Sequence, residues 1–159
     1  YEENPWSQKI YNILGSIYLR KSEFRRGINA LKVSLELAPY DYRTFTNLAW
    51  AYQKLQKYDS GLVYLEKAHG LAPREAFPLE GLMVGSYNLR RYDDAMRYFV
   101  KLQKLDSAKA QWYLIAGNSA FALKKFDTAR IWLEKYIELD PDGDQVEQVQ
   151  GALRQIEKR

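Results

Sequence analysis

The chain has 159 residues, a net charge of +4 and 47% hydrophobic residues, which predicts one continuous structure with ample apolar material for a core. It has no cysteine, which excludes disulfides, thiol catalysis and thiolate metal sites and fits cytosol and periplasm equally. No stretch approaches the roughly 18 consecutive apolar residues that span a bilayer.

Tyr1 in place of an initiating methionine predicts a processed product or a cut fragment, compatible with more repeats upstream. Asn4 followed by Pro5 reads as a helix start, asparagine as N-cap and proline at the first helical position. Trp6 then has the first repeat, or something upstream, to pack on.

From residue 8 a helix–turn–helix pattern recurs. Tyr11, Leu14, Gly15 and Tyr18 share one helical face, and the small Gly15 predicts a closely approaching partner helix. In the next unit Phe45, Leu48, Ala49 and Tyr52 take the same spacing. Tyr58, Gly61, Leu62, Leu65, Ala68 and Leu71 follow on a second helix, which Pro73 closes because proline lacks the N–H of a continuing helix. A third unit is irregular. Met83 fills the slot of Gly15, Ala49 and Gly117, and Ser86 replaces the tyrosine of Tyr18 and Tyr52. Gly81 and Gly85 fall inside the helix, each at a cost of about 1 kcal/mol relative to alanine, and Ser107 replaces the closing proline. We expect sequence drift in which Gly85 makes the room that Met83 takes away, the alternative being a locally soft or bent helix at a binding groove. The fourth unit returns to type through Gly117, Phe126, Ala129, Leu133 and Pro141. A ninth helix is predicted from Asp144, with Asp144 and Glu147 as a capping box and Val146, Val149, Leu153 and Ile156 as the apolar stripe. Gly151 lies 34 residues beyond Gly117, which predicts that this helix docks in register.

The offset of 34 residues runs through several columns. Phe24, Tyr58, Tyr92 and Phe126 are aromatic. Leu31, Leu65, Phe99 and Leu133 are large and apolar. Gly27, Gly61, Ala95 and Ala129 are small, and Leu37, Leu71, Leu105 and Leu139 are leucines. A helix–turn–helix unit repeating at this period is a solenoid signature. Arg25 departs from its column, where Asp59, Asp93 and Asp127 place acid in a helix's first turn.

Leu14-Gly15 with Tyr18, Leu48-Ala49 with Tyr52, the runs Tyr58-Asp59-Ser60-Gly61 and Tyr92-Asp93-Asp94-Ala95, and the closing Pro39, Pro73 and Pro141 together resemble the tetratricopeptide repeat (TPR). The resemblance spans about residues 8–143. It implies an all-α fold, an α-solenoid of four TPR-like repeats (about 8–41, 42–75, 76–109 and 110–143) in a single domain over 1–159. A C-terminal capping helix at about 144–158 completes it. A half-polar cap suits a stack whose last repeat would otherwise expose an apolar face.

Catalytic and metal motifs are missing. His69 is the lone histidine, no serine or threonine has an evident base, and there is no phosphate loop or His/Glu cluster. Asp140, Asp142 and Asp144 alternate as in a calcium loop, but Gln145 and Gly151 stand where glycine and glutamate are required. The expectation is a protein with no enzymatic activity and no cofactor.

Family resemblance implies that the inner surface, lined by the first helix of each pair, takes a peptide or helix of a partner protein. Its outward positions are Lys9, Asn12 and Ser16; Arg43, Thr46, Asn47, Trp50 and Gln53; Glu80, Val84, Tyr87 and Asn88; and Gln111, Leu114 and Asn118. Trp50, beside core positions Ala49 and Tyr52, is the expected exposed anchor, since tryptophan among asparagine and arginine has hot-spot composition. The asparagine amides are suited to hydrogen-bond a peptide backbone. Family members that grip an acidic C-terminal tail use a lysine–asparagine pair, then asparagine, then lysine–arginine. Those slots hold Asn12, Ser16, Asn47, Phe77 and Gly81, and one repeat later Thr46, Trp50, Gly81, Gln111 and Ile115. Only Asn47 agrees, so a chaperone-tail clamp is not expected.

The turns within each pair form a basic edge of Arg20, Lys21, Lys54, Lys57, Arg90, Arg91, Lys124 and Lys125. Cations at helix C-termini answer the helix dipole, which accounts for the row without a ligand. An acidic partner or nucleic acid is the alternative, although the first three repeats are only mildly basic and the fourth is not. Self-assembly through the Trp6 end or the cap is a further one.

Overall fold

The computed structural model describes residues 5–105 and 109–158. Among these residues the chain forms nine α-helices and no strand: α1 (Pro5–Arg20), α2 (Phe24–Leu37), α3 (Tyr42–Lys54), α4 (Tyr58–Leu71), α5 (Ala76–Asn88), α6 (Tyr92–Gln103), α7 (Ala110–Ala122), α8 (Phe126–Leu139) and α9 (Val146–Glu157). Each helix packs on the next in sequence, and α1, α3, α5 and α7 also touch one another in succession. The result is a stack of helix pairs with the first helices along one wall. None of these helices is long and apolar enough to cross a membrane. The expected N-cap Asn4 and the proline-substituting Ser107 lie outside the described residues.

Burial follows the columns. Leu31, Leu65, Phe99 and Leu133 are almost fully buried, as are Ala95 and Ala129. A Cβ placed on Gly15 would stand 2.6 Å from Leu31 Cγ, so glycine is what lets α1 and α2 close on each other. The column of Leu37, Leu71, Leu105 and Leu139 behaves differently. Leu71 and Leu139 are exposed and the other two are half-buried, because this position falls in or just beyond the last turn of the second helix.

The glycines of α5 answer to packing, but not as the sequence suggests. A Cβ on Gly81 would meet Leu65 Cδ2 at 2.8 Å, and one on Gly85 would meet Leu62 Cδ2 at 2.8 Å. Both therefore seat α5 on α4, the second helix of the preceding pair. Met83 is itself fully buried in the central cluster with Leu82 and Phe99.

Each turn within a pair closes in the same way. Ser22, Gln56, Arg90 and Lys124, spaced by 34, all have left-handed backbone, with φ of 57° to 60°. In the second turn Gln56 N–H donates to Gln53 O at 2.9 Å and Lys57 N–H donates to Tyr52 O at 2.9 Å; the other three turns repeat both bonds. This is a Schellman closure made without glycine.

Helix α9 departs from expectation at its start. It begins at Val146 with Gln145 as N-cap, and no side chain caps it, so the Asp144–Glu147 capping box does not form. The chain instead turns through Gly143, whose carbonyl accepts from Val146 N–H at 3.0 Å. Val149 and Ile156 are buried against α7 and α8, with Val146 and Leu153 half-buried. A Cβ on Gly151 would meet nothing within 4 Å among the described residues, whereas one on Gly117 would meet Leu133 of the paired helix α8.

At the other end, α1 keeps an apolar face uncovered. Ile10 is 59% and Ile13 58% exposed. Their counterparts one, two and three repeats on include Thr44, Pro78, Trp112 and Ile115, which are buried against the preceding second helix.

Candidate functional site

The first helices bring the expected groove residues to one wall, but many are already engaged. Asn12 Nδ2 donates to Thr44 Oγ1, and Asn47 Nδ2 donates to Ser16 Oγ at 3.3 Å. Ser16 Oγ donates in turn to Asn12 O at 2.9 Å. These bonds tie α1 to α3. Gln53 Nε2 donates to Gly81 O at 3.1 Å and ties α3 to α5. The amides of Asn12, Asn47 and Gln53 therefore hold the wall together, pairing polar groups that packing has partly withdrawn from water. Behind them Gln8 Nε2 reaches Asp41 Oδ2 at 3.0 Å, and Thr44 Oγ1 donates to the same oxygen at 2.9 Å.

Among the remaining positions, Lys9 is exposed with Nζ 5.0 Å from the Trp6 ring centre. Arg43 is exposed, and its backbone N–H is capped by Asp41 Oδ1 at 3.0 Å. Thr46 is buried, its hydroxyl donating to Arg43 O at 2.7 Å. Glu80 pairs with Lys109 Nζ at 2.7 Å. Asn88 and Gln111 are exposed, Val84, Tyr87 and Asn118 are half-buried, and Leu114 is buried. The carboxamides of Asn88, Gln111 and Asn118 stand on α5 and α7, so the open polar surface lies toward the C-terminal half of the wall.

Trp50 is half-buried rather than exposed. Its ring meets Phe24 edge-on at 6.0 Å, and Lys54 Nζ lies 5.4 Å from its centre. Apolar surface has found cover on the first repeat. The ring still forms one wall of a 160 Å³ cleft between α3 and α5, shared with Phe77 and Val84 and floored by Leu65. Phe77 is 57% exposed; the sequence places it in a slot of the acidic-tail clamp but not among the expected groove residues. The signal was present, since it stands 34 residues after Arg43 and 34 before Gln111.

A second cleft of 390 Å³ opens between α5, α7 and the α8–α9 connection. Tyr87, Gln111, Leu114 and Asn118 line one side, and Tyr136, Asp140, Asp144 and Gln145 the other. The last four were not among the expected groove residues. They come from a second helix and the following turn, which the first-helix rule does not reach.

All eight residues of the basic edge are exposed. Their electrostatics differ within the row. Arg20 and Lys54 sit in last turns of α1 and α3, where the dipole argument holds. Lys57, Arg91 and Lys125 are instead N-cap residues of α4, α6 and α8, at the positive helix ends. Arg91 pairs with Asp59 and Lys125 with Asp93, each at 2.7 Å, so part of this edge is neutralised by the preceding repeat. Among the described residues no group of three acids or histidines could hold a metal ion.

Comparison with known proteins agrees with this architecture. No curated protein matches the chain in sequence. Among solved structures, MamA from Desulfovibrio magneticus, residue 41 to the end, superposes with a TM-score of 0.83 at 14% identity, over 96% of this chain and 94% of that one. YrrB, described as a TPR protein with an unusual peptide-binding site, gives 0.83 at 19% identity over 91% and 75%. The first TPR of Spaghetti (RPAP3), bound to the HSP90 peptide SRMEEVD, gives 0.72 at 16% identity over 76% and 96%. Identities this low speak for the fold. Two family models, both described as tetratricopeptide repeat, match residues 42–75 and 87–144, together more than half of the chain. The chain belongs to the tetratricopeptide-repeat family.

Proposed function

We propose that this protein is a non-catalytic interaction scaffold that holds a segment of a partner protein along the wall of first helices. One observation carries the reading: two clefts lie in succession on that wall, one between α3 and α5 and one between α5 and α7. A preformed surface of this kind binds through many modest contacts, with little ordering cost on its own side. YrrB and the RPAP3 domain, which share the fold, are described as peptide-binding, and that supports the same use here.

The test is selection of peptides from a displayed random library. Wild-type protein is expected to yield peptides that Phe77→Ala and Trp50→Ala bind at least several-fold more weakly, the usual behaviour of aromatic anchors. Phe77 is exposed, so its truncation leaves the fold intact. Selection that yields no peptide, or binding indifferent to both variants, would remove this function.

Self-association is a second reading, favoured by the uncovered face of α1. Ile10 stands where Thr44, Pro78 and Trp112 are buried in later pairs, and Ile13 where Ile115 is buried, so a second copy would continue an interface the stack already uses. Sedimentation is then expected to rise with concentration and to become constant in Ile13→Glu. A wild-type monomer at all concentrations would overturn it.

A further inference from the structure

Resting on that groove reading, we infer that the cleft between α5, α7 and the α8–α9 turn is a subsite for a basic side chain, an arginine or lysine of the bound segment. Asp140 and Asp144 stand at its mouth, and neither makes an ion pair among the described residues. Four acids on the stack, Asp59, Asp93, Asp94 and Glu80, are by contrast each answered by a cation.

Tyr136 points to the same ligand independently. It is only 2% exposed, yet it lines the cleft, and its hydroxyl has no hydrogen-bond partner among the described residues. That hydroxyl lies under the turn, where a Cβ on Gly143 would meet both Tyr136 Oη and Asp140 Oδ2 at 2.5 Å. That oxygen is open to the cleft rather than sealed in the core, so a donor entering the cleft gains a hydrogen bond there. Tyr87 adds an aromatic ring, and Asn118 adds a carboxamide.

Two carboxylates, a phenolic oxygen and an aromatic ring are what a guanidinium or ammonium group requires: charge, acceptors and a π face. The neighbouring cleft at Trp50, Phe77 and Val84 is apolar. The wall thus reads an apolar residue first and a basic one toward α9. The slots of an acidic-tail clamp hold Phe77 and Gly81, with Asn12, Ser16 and Asn47 tied into the wall, so the charge preference runs opposite to that of an acidic tail.

Displayed-peptide selection on wild type and on Asp140→Asn/Asp144→Asn tests this. Both aspartates are exposed, so the double variant folds. Wild type is expected to enrich arginine or lysine at a fixed spacing from an apolar residue. The variant is expected to lose that enrichment and to bind the wild-type peptides about tenfold more weakly. Tyr136→Phe, which keeps the ring, is expected to weaken peptides with the basic residue several-fold and to leave their alanine-substituted versions unchanged. Peptides that bind the groove without basic enrichment, or equally well to the double variant, overturn the subsite and leave the groove standing. N-acetyl-arginine amide titrated against labelled protein gives a separate readout. Shifts at Asn118 and Gln111 that vanish in the double variant are expected, and no shift overturns the subsite.

Discussion

Arg91 reaches back across one repeat to place Nη2 2.7 Å from Asp59 Oδ1, and Lys125 does the same to Asp93. The corresponding pair at the first junction is Lys57 with Arg25, two exposed cations. The ladder is broken by the one departure in an otherwise acidic column. Arg25→Asp is expected to complete it, adding a surface ion pair and an acid in the first turn of α2. Each effect is about 0.3–1 kcal/mol. The gain should appear in urea melts at low salt and shrink in high salt; a loss of stability would contradict the register.

Gln56 holds left-handed backbone that a glycine adopts freely. Its strain of about 1–2 kcal/mol exceeds the extra chain entropy that glycine loses on folding. Gln56→Gly is therefore expected to stabilise by about 0.5–1 kcal/mol, whereas Gln56→Val destabilises. Thermal unfolding of the two variants reads the difference.

Two helical glycines predict opposite outcomes. A Cβ on Gly117 would stand 2.6 Å from Leu133 Cδ2 and 3.3 Å from Leu133 backbone N, so Gly117→Ala must force α7 and α8 apart. An overpacking cost of about 1–3 kcal/mol is expected. Gly151 meets nothing within 4 Å, and Gly151→Ala is expected to gain up to about 1 kcal/mol from helix propensity alone. Denaturant midpoints moving in the same direction for both would refute the packing account.

His69 is half-buried, and its Nδ1 has no hydrogen-bond partner among the described residues. Burial, and after it the charge of Lys101, hold its pKa below the ordinary 6.5. The unfolded chain therefore takes up a proton as pH falls through 6.5 while the folded chain does not. The unfolded state then binds more protons, and stability declines as pH drops from that point toward the lower folded value. The urea midpoint is expected to fall between pH 7.5 and 5.5, and less so in His69→Phe. Parallel pH profiles would show that this histidine is not responsible.

Periodicity by itself determined the helix pairs, their order and the buried columns, because a 34-residue repeat forces identical faces into identical contacts. It also held Phe77, three columns of its own row being already in view. Tertiary structure alone decided which groove residues remain free. Asn12, Asn47 and Gln53 look available along a single helix, yet each bonds a neighbouring helix, which a one-helix pattern does not encode. The same holds for Trp50, covered by Phe24 from another pair, and for the non-repeating α8–α9 turn that places Tyr136, Asp140 and Asp144 together. Contacts that repeat are written in the sequence as a period, whereas contacts made once are written only in the packing.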